Sequence, residues 1–224
     1  MKKKPKNLMR NSKFCGAEMC PIDPAQPDQS LLEKAAAVVK NGGIVIFPTR
    51  TLYGIGVDAF NREAVNRVFR IKQRDAQNPL SVLIRSRDAV AALAAKIPSA
   101  AEKFMAALWP GRLTIVFSAR PNVLSSLTAG TGKIGIRMPE HPAASGLVES
   151  LNCPLTATSA NLSGQPGADS VDQLPVELLR NVDLVIDAGK LKGGIGSTVV
   201  DVTVSPPVIL REGEVSRKEL FGFL

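Results

Sequence analysis

The spacing of apolar and polar positions changes several times along this chain. From residue 30 it is helical: Leu31, Ala35 and Val38 recur three to four residues apart up to Lys40. Ser30, with Glu33 three residues on, reads as an N-cap and capping box, and Asn41-Gly42-Gly43 closes the segment. Ile44-Val45-Ile46-Phe47 follows, a continuous apolar run stopped by Pro48. A run this short without alternation predicts a strand covered on both faces.

Helical spacing returns over Asn61–Ile71, with Val65, Val68 and Phe69 as the apolar stripe. Leu80–Ile84 reads as a strand, and Arg87–Lys96 and Ser99–Leu108 as helices parted by Pro98. Beyond Trp109-Pro110-Gly111, Leu113–Phe117 and Ile134–Arg137 read as strands, with a short helix around Leu147. Leu155–Thr158, Val182–Ile186, Thr198–Val202 and Val208–Leu210 are further strands. Strands outnumber helices in the second half, which predicts an α/β fold with a mixed parallel and antiparallel sheet. No internal repeat or shift in composition marks a second domain. Residues 1–28 lack periodicity and hold Pro5, Pro21, Pro24 and Pro27; they read as a basic flexible tail and extended lead-in before a folded domain over 29–224.

Composition narrows the function classes. The chain has 224 residues, 45% hydrophobic and 21% charged, enough to bury a core without disulfides or a structural metal. Aromatics are only 4%, too few for a protein that stacks single-stranded bases on aromatic platforms. Cys15, Cys20, Cys153 and His141 are the whole supply of Cys and His, which excludes the common zinc sites. The thiols read as unpaired in a reducing cytosol. The basic N-terminus is followed by no apolar core, and no run is long enough to span a membrane, so a cytoplasmic protein is expected. The net charge is +8, yet Lys2, Lys3, Lys4, Lys6, Arg10 and Lys13 supply six of those charges. The remainder has 22 basic residues against 20 acidic, so charge matters locally rather than in total.

Polar residues concentrate where predicted elements end. Pro48-Thr49-Arg50-Thr51-Leu52-Tyr53-Gly54 follows a buried strand, a favoured ligand position in α/β sheets. Lys72 and Arg74, followed by Asn78-Pro79-Leu80, pair an ammonium with a guanidinium, which suits a polyphosphate; helix C-terminal capping alone accounts for only part of that cationic cluster. Thr158-Ser159-Ala160-Asn161-Leu162-Ser163-Gly164 offers hydroxyl and amide donors to a phosphate or ribose, and would serve equally as a polar turn. Gly193-Gly194-Ile195-Gly196-Ser197-Thr198 lets backbone approach a ligand. Familiar motifs fail. Ala129-Gly130-Thr131-Gly132-Lys133 lacks the Ser or Thr of a phosphate-binding P-loop, since Ile134 follows. A hydrolase triad would have to use His141, and no nucleophile-elbow pattern exists.

Taken in order, these segments resemble the YrdC family, the threonylcarbamoyl-AMP synthases, in its short form. The resemblance rests on Phe47-Pro48-Thr49-x-Thr51-x-Tyr53-Gly54-x-Gly56, Lys72-x-Arg74 with Asn78-Pro79-Leu80, and Arg137-Met138-Pro139 with His141-Pro142. It continues through Ser159-Ala160-Asn161-x-Ser163-Gly164, Ser197-Thr198-x-x-Asp201 and Arg211-x-Gly213. It implies a single YrdC-like domain with a twisted mixed sheet, flanking helices and a deep positively charged cleft. The implied enzyme is a nucleotidyltransferase. It makes L-threonylcarbamoyladenylate and pyrophosphate from L-threonine, bicarbonate or CO2, and ATP, for threonylcarbamoyladenosine in tRNA.

By the same resemblance Lys72 and Arg74 serve catalysis and hold the triphosphate, with Asn78, Lys133, Ser159, Asn161 and Arg211 on the nucleotide. Thr51, Tyr53, Arg137, Ala157 through its backbone and Ser197 surround threonine. Magnesium is implied through the phosphates, with no protein metal site. Lys72, Arg74, Lys133, Arg137 and Arg211 are expected to converge on one cleft. Implied partners beyond the substrates are tRNA and other threonylcarbamoyl-transfer proteins. Two alternatives remain: a non-catalytic YrdC-like protein that binds tRNA or double-stranded RNA, or a carbamoyl-transfer relative. The chain departs from the family pattern at Arg50, where an acid is frequent, at Gly196, where Glu is frequent, and at Leu83, where some members have His.

Overall fold

The computed structural model describes residues 16–224. The N-terminal cations up to Lys13 and Cys15 lie outside the described residues. The chain runs β1 (Glu18–Pro21), α1 (Gln29–Lys40), β2 (Val45–Pro48), β3 (Tyr53–Gly56), α2 (Arg62–Ile71) and β4 (Ser81–Leu83). It continues through α3 (Ser99–Leu108), β5 (Leu113–Ser118), α4 (Ser125–Thr128), β6 (Lys133–Arg137), α5 (Pro142–Glu149) and β7 (Leu155–Ser159). It then forms α6 (Val176–Leu179), β8 (Leu184–Asp187), β9 (Thr198–Asp201), β10 (Val208–Arg211) and α7 (Arg217–Phe221).

The strands form one sheet in the order β1-β8-β2-β3-β7-β4-β6-β5-β9-β10. β8 lies parallel to β1 and β2, β4 to β6, and β5 to β9; the other neighbours are antiparallel, so the sheet is mixed as expected. The apolar run at Ile44–Phe47 is covered on both faces. Ile44 and Ile46 join the larger core, while Val45 and Phe47 join a second core with α1 and α5. α1 and α5 touch closely, because a Cβ on Gly146 would stand 2.5 Å from Leu32 Cδ1.

Several local expectations are corrected. Asp28, not Ser30, caps α1: its Oδ1 accepts the Ser30 N–H at 2.9 Å, which starts the helix at Gln29, two residues before the Leu31 that a Ser30 cap implies. The buried stripe is therefore Leu32, Ala35, Ala36 and Val39, with Leu31 and Val38 on its flanks. Residues 87–92 form a 3-10 turn rather than a helix to Lys96. The chain leaves it because Ala94 bridges Ala119 and the Ala95 N–H donates to Ser118 O at 2.8 Å. Tyr53–Gly56 is a strand, not the end of a loop, since it completes a hairpin with β2. Within the extended lead-in, residues 18–21 are a sheet strand because β8 offers them a parallel edge. No helix among the described residues is long and apolar enough to cross a membrane.

Candidate active site

A cavity of about 610 Å³ opens where residues of β3, β4, β5, β6, β7, β9 and β10 and their adjoining loops face one another. Four of the five cations expected to converge, Arg74, Lys133, Arg137 and Arg211, line it, and Arg50 joins them. Thr51, Tyr53, Ala157, Ser159 and Ser197 also line it. Lys72, Asn78 and Asn161 do not form part of its wall.

Lys72 follows the last residue of α2, and its side chain turns inward until the residue is 1% exposed. Its Nζ donates to Ser159 O at 2.5 Å and Asn161 O at 2.6 Å, and lies 3.3 Å from Asn161 Oδ1. Burial and the neighbouring Arg74 push the Lys72 pKa down to about 7. Three acceptors around one nitrogen match the three N–H groups of the ammonium form. Lys72 thus stands behind the Ser159–Asn161 loop and braces it. Asn161 Oδ1 also accepts from Ser159 Oγ, and its amide donates to Gln165 O. The spacing Lys-x-Arg does not show that one cation is turned in and the other out.

Arg74 grips the next turn. Its Nε donates to Asn78 O at 3.0 Å and its Nη2 to Pro79 O at 2.9 Å. Asn78 therefore contributes its carbonyl to this clamp, and the residue itself is exposed outside the cavity wall. Lys133, at the start of β6, lies 2.8 Å from Asp201 Oδ2 at the end of β9. Burial raises the Asp201 pKa, but hydrogen bonds from Lys133 and from the Thr203 hydroxyl and amide outweigh it and hold the carboxyl below its ordinary range.

Arg137 ends β6 with its Nε donating to Gly111 O at 2.7 Å. Burial lowers its pKa; the charges of Glu140 and Glu214 oppose that, and those of Arg211 and Arg50 add to it. Ser197, 7% exposed, shares a 2.8 Å hydroxyl contact with Thr114, and Arg211 Nη2 donates to Ser197 O at 2.8 Å. The next residue, Thr198, is structural. Its Oγ1 donates to Val215 O at 2.6 Å and accepts from Gly213 N at 2.9 Å. Gly213 permits that approach, since a Cβ there would stand 2.3 Å from Gly196 O.

Tyr53 is among the residues lining the cavity, but its hydroxyl is taken up by the backbone, donating to Gly189 O at 2.7 Å and accepting from Ala188 N at 3.0 Å. Burial and Asp187 push its phenol above the ordinary range. The Ala157 carbonyl already accepts the Ser81 hydroxyl at 2.9 Å. Thr51 is 5% exposed, and its own carbonyl accepts the Gly193 N–H at 3.0 Å. His141 caps α5 by accepting from Ala143 N at 3.3 Å, and burial lowers its pKa. Sequence reasoning missed Thr114, Ser81 and Glu140 as cavity residues. A lone Thr inside the apolar run Leu113–Phe117 was the one visible signal.

Residues 37–213 match the family model for Sua5, YciO and YrdC, described as telomere recombination. The chain is 38% identical over 186 residues to the threonylcarbamoyl-AMP synthase of Pyrococcus abyssi, covering 83% of this chain and 55% of that protein. It is 35% identical over 190 residues to that of Bacillus subtilis, covering 84% and 55%. It thus spans about half the length of these curated relatives. The crystal structure of P. abyssi Sua5 complexed with L-threonine superposes with a TM-score of 0.87 at 35% identity, over 92% of this chain and 60% of that one. The cavity is built from residues 49–211, inside the span that matches, and the chain belongs to the Sua5/YciO/YrdC family.

Proposed function

We propose that this chain is a threonylcarbamoyl-AMP synthase, joining L-threonine, bicarbonate or CO2, and ATP into L-threonylcarbamoyladenylate for the modification of tRNA. The observation that carries this reading is one cavity in which Arg137 stands at one strand end while Arg74, Lys133 and Arg211 stand around it. That set suits a carboxylate and a polyphosphate held side by side.

In the proposed reaction the threonine amine adds to CO2, giving a carbamate and releasing a proton. A carbamate oxygen then attacks the α-phosphorus in line. The α–β phosphoanhydride bond breaks, and pyrophosphate leaves with the bond's electron pair. Such adenylyl transfer needs positioning and charge neutralisation rather than a covalent protein intermediate. Arg137 would pair with the amino acid carboxylate, with Ser197 and Thr51 beside it. Arg74, Lys133 and Arg211 would meet the nucleotide, and Lys72 would hold Ser159 and Asn161 in place from behind.

Among the described residues no group of three or more His, Cys, Asp or Glu could hold a metal ion. The two cavity acids are ion-paired, Glu140 with Arg50 and Asp201 with Lys133. These residues do not form a magnesium site, so any magnesium would be carried by the phosphates. The test is pyrophosphate release with each substrate omitted in turn. Release is expected only with threonine, bicarbonate and ATP together. Release that persists without threonine or bicarbonate overturns the proposal.

A further inference from the structure

Two carboxylates, Glu140 and Glu214, pair with Arg50, which lines the cavity together with Arg137. Glu140 lies three residues beyond Arg137 and lines the cavity. Glu214 comes from the segment after β10, where its N–H donates to Gly196 O at 3.1 Å and its side chain is only 11% exposed. Both acids contact Arg50, and Arg50, Glu140 and Arg137 face the same cavity, so the field of the two acids opposes the effect of burial on the Arg137 charge. An acid on the same chain competes strongly for a guanidinium, because pairing costs no translational freedom.

Arg50 stands between these acids and that competition. Its Nε lies 3.2 Å from Glu140 Oε1 and its Nη1 3.5 Å from Glu214 Oε1, so different nitrogens reach the two acids at once. A planar guanidinium has this reach; an ammonium is a single point of charge. Glu214 has a second cation, Lys192, at 3.3 Å. Among the described residues Glu140 has Arg50 alone. Arg137 itself is anchored through Nε on Gly111 O, with no partner on its terminal nitrogens among the described residues.

We infer that Arg50 is a positioning residue for amino acid binding: by engaging Glu140 and Glu214 it keeps Arg137 free for the substrate carboxylate. This rests on the proposed function and adds to it a determinant of affinity for the amino acid, separate from the nucleotide.

The experiment compares the wild-type chain with Arg50→Met, Arg50→Lys and the double variant Arg50→Met/Glu140→Gln. It measures L-threonine binding by calorimetry and the KM for threonine and ATP. Loss of Arg50 is expected to weaken threonine binding and raise its KM about fivefold, with ATP KM within about twofold, the scale of one partly exposed ion pair. Glu140→Gln in that background restores most of the affinity, Arg50→Lys is intermediate, and added salt narrows the differences. Should Arg50→Met fail to fold, Arg50→Lys carries the same comparison. Unchanged threonine affinity, an equal rise in ATP KM, or no recovery in the double variant overturns the inference alone. A wild-type chain that neither binds threonine nor releases pyrophosphate overturns the proposed function, and this inference with it.

Discussion

Thr114 Oγ1 and Ser197 Oγ lie 2.8 Å apart, joining β5 to the loop that enters its neighbour β9. Ser197 is thereby oriented by a residue far away in sequence. Thr114→Val keeps the shape and removes the hydroxyl. It should cost about 1 kcal/mol of stability and leave Ser197 less fixed. Threonine KM is expected to rise several-fold with kcat near the wild-type value, as steady-state kinetics would show. An unchanged KM would mean that Ser197 does not meet the amino acid.

Arg74 holds two backbone carbonyls with its fork, so Lys should not replace it. Arg74→Lys and Arg74→Ala are both expected to lower kcat/KM for ATP by about a hundredfold, in line with the loss of a charged contact in a desolvated site. Their melting temperatures should fall by only a few degrees, because the turn it clamps is exposed. Equal activity in the Lys variant would refute a forked contact.

Lys72 carries a pH dependence. Its folded pKa of about 7 lies below the ordinary 10.5, so between those values the unfolded chain binds one more proton. This group therefore adds stability as pH rises from 7 towards 10, and its buried charge costs stability below 7. Against Lys72→Met, urea unfolding should show the wild type gaining by up to about 1.4 kcal/mol per pH unit in that window. Over the same window the brace on Ser159 and Asn161 loses a donor, so ATP KM should climb in the wild type. A flat difference in stability between pH 6 and 9 would contradict it.

Asp201 runs the other way. Its carboxyl is held below the ordinary range, so the stability it contributes is present at neutral pH and fades as pH falls through the folded value. Asp201→Asn should destabilise the chain at pH 7 by about 1–2 kcal/mol and by much less at pH 3. Denaturant titration at the two pH values measures this directly.

Much of the frame is readable from residue order. Ser99–Leu108 is read residue for residue, because Pro98 fixes its start and the apolar spacing persists to its end. The hairpin strand Tyr53–Gly56 is not, since two glycines and a preceding polar loop hide a segment whose extended form depends on β2 and β7. β1 is hidden for the same reason: only β8, far along the chain, makes Glu18–Pro21 a strand. Within the cavity, residues flagged by loop chemistry are found together. The inward turn of Lys72 and the Arg50–Glu140–Glu214 contacts depend on side-chain direction and distant pairing, which spacing does not encode.

The cavity draws its walls from Thr49 near one end of the described chain to Arg211 near the other. It is complete only when β9 and β10, sewn in by Thr198 and Gly213, have joined the sheet. Any molecule that occupies it therefore selects the fully assembled fold over every partial one. Substrate should slow amide exchange in strands far apart in sequence as a single cooperative unit, making occupancy a measure of finished folding.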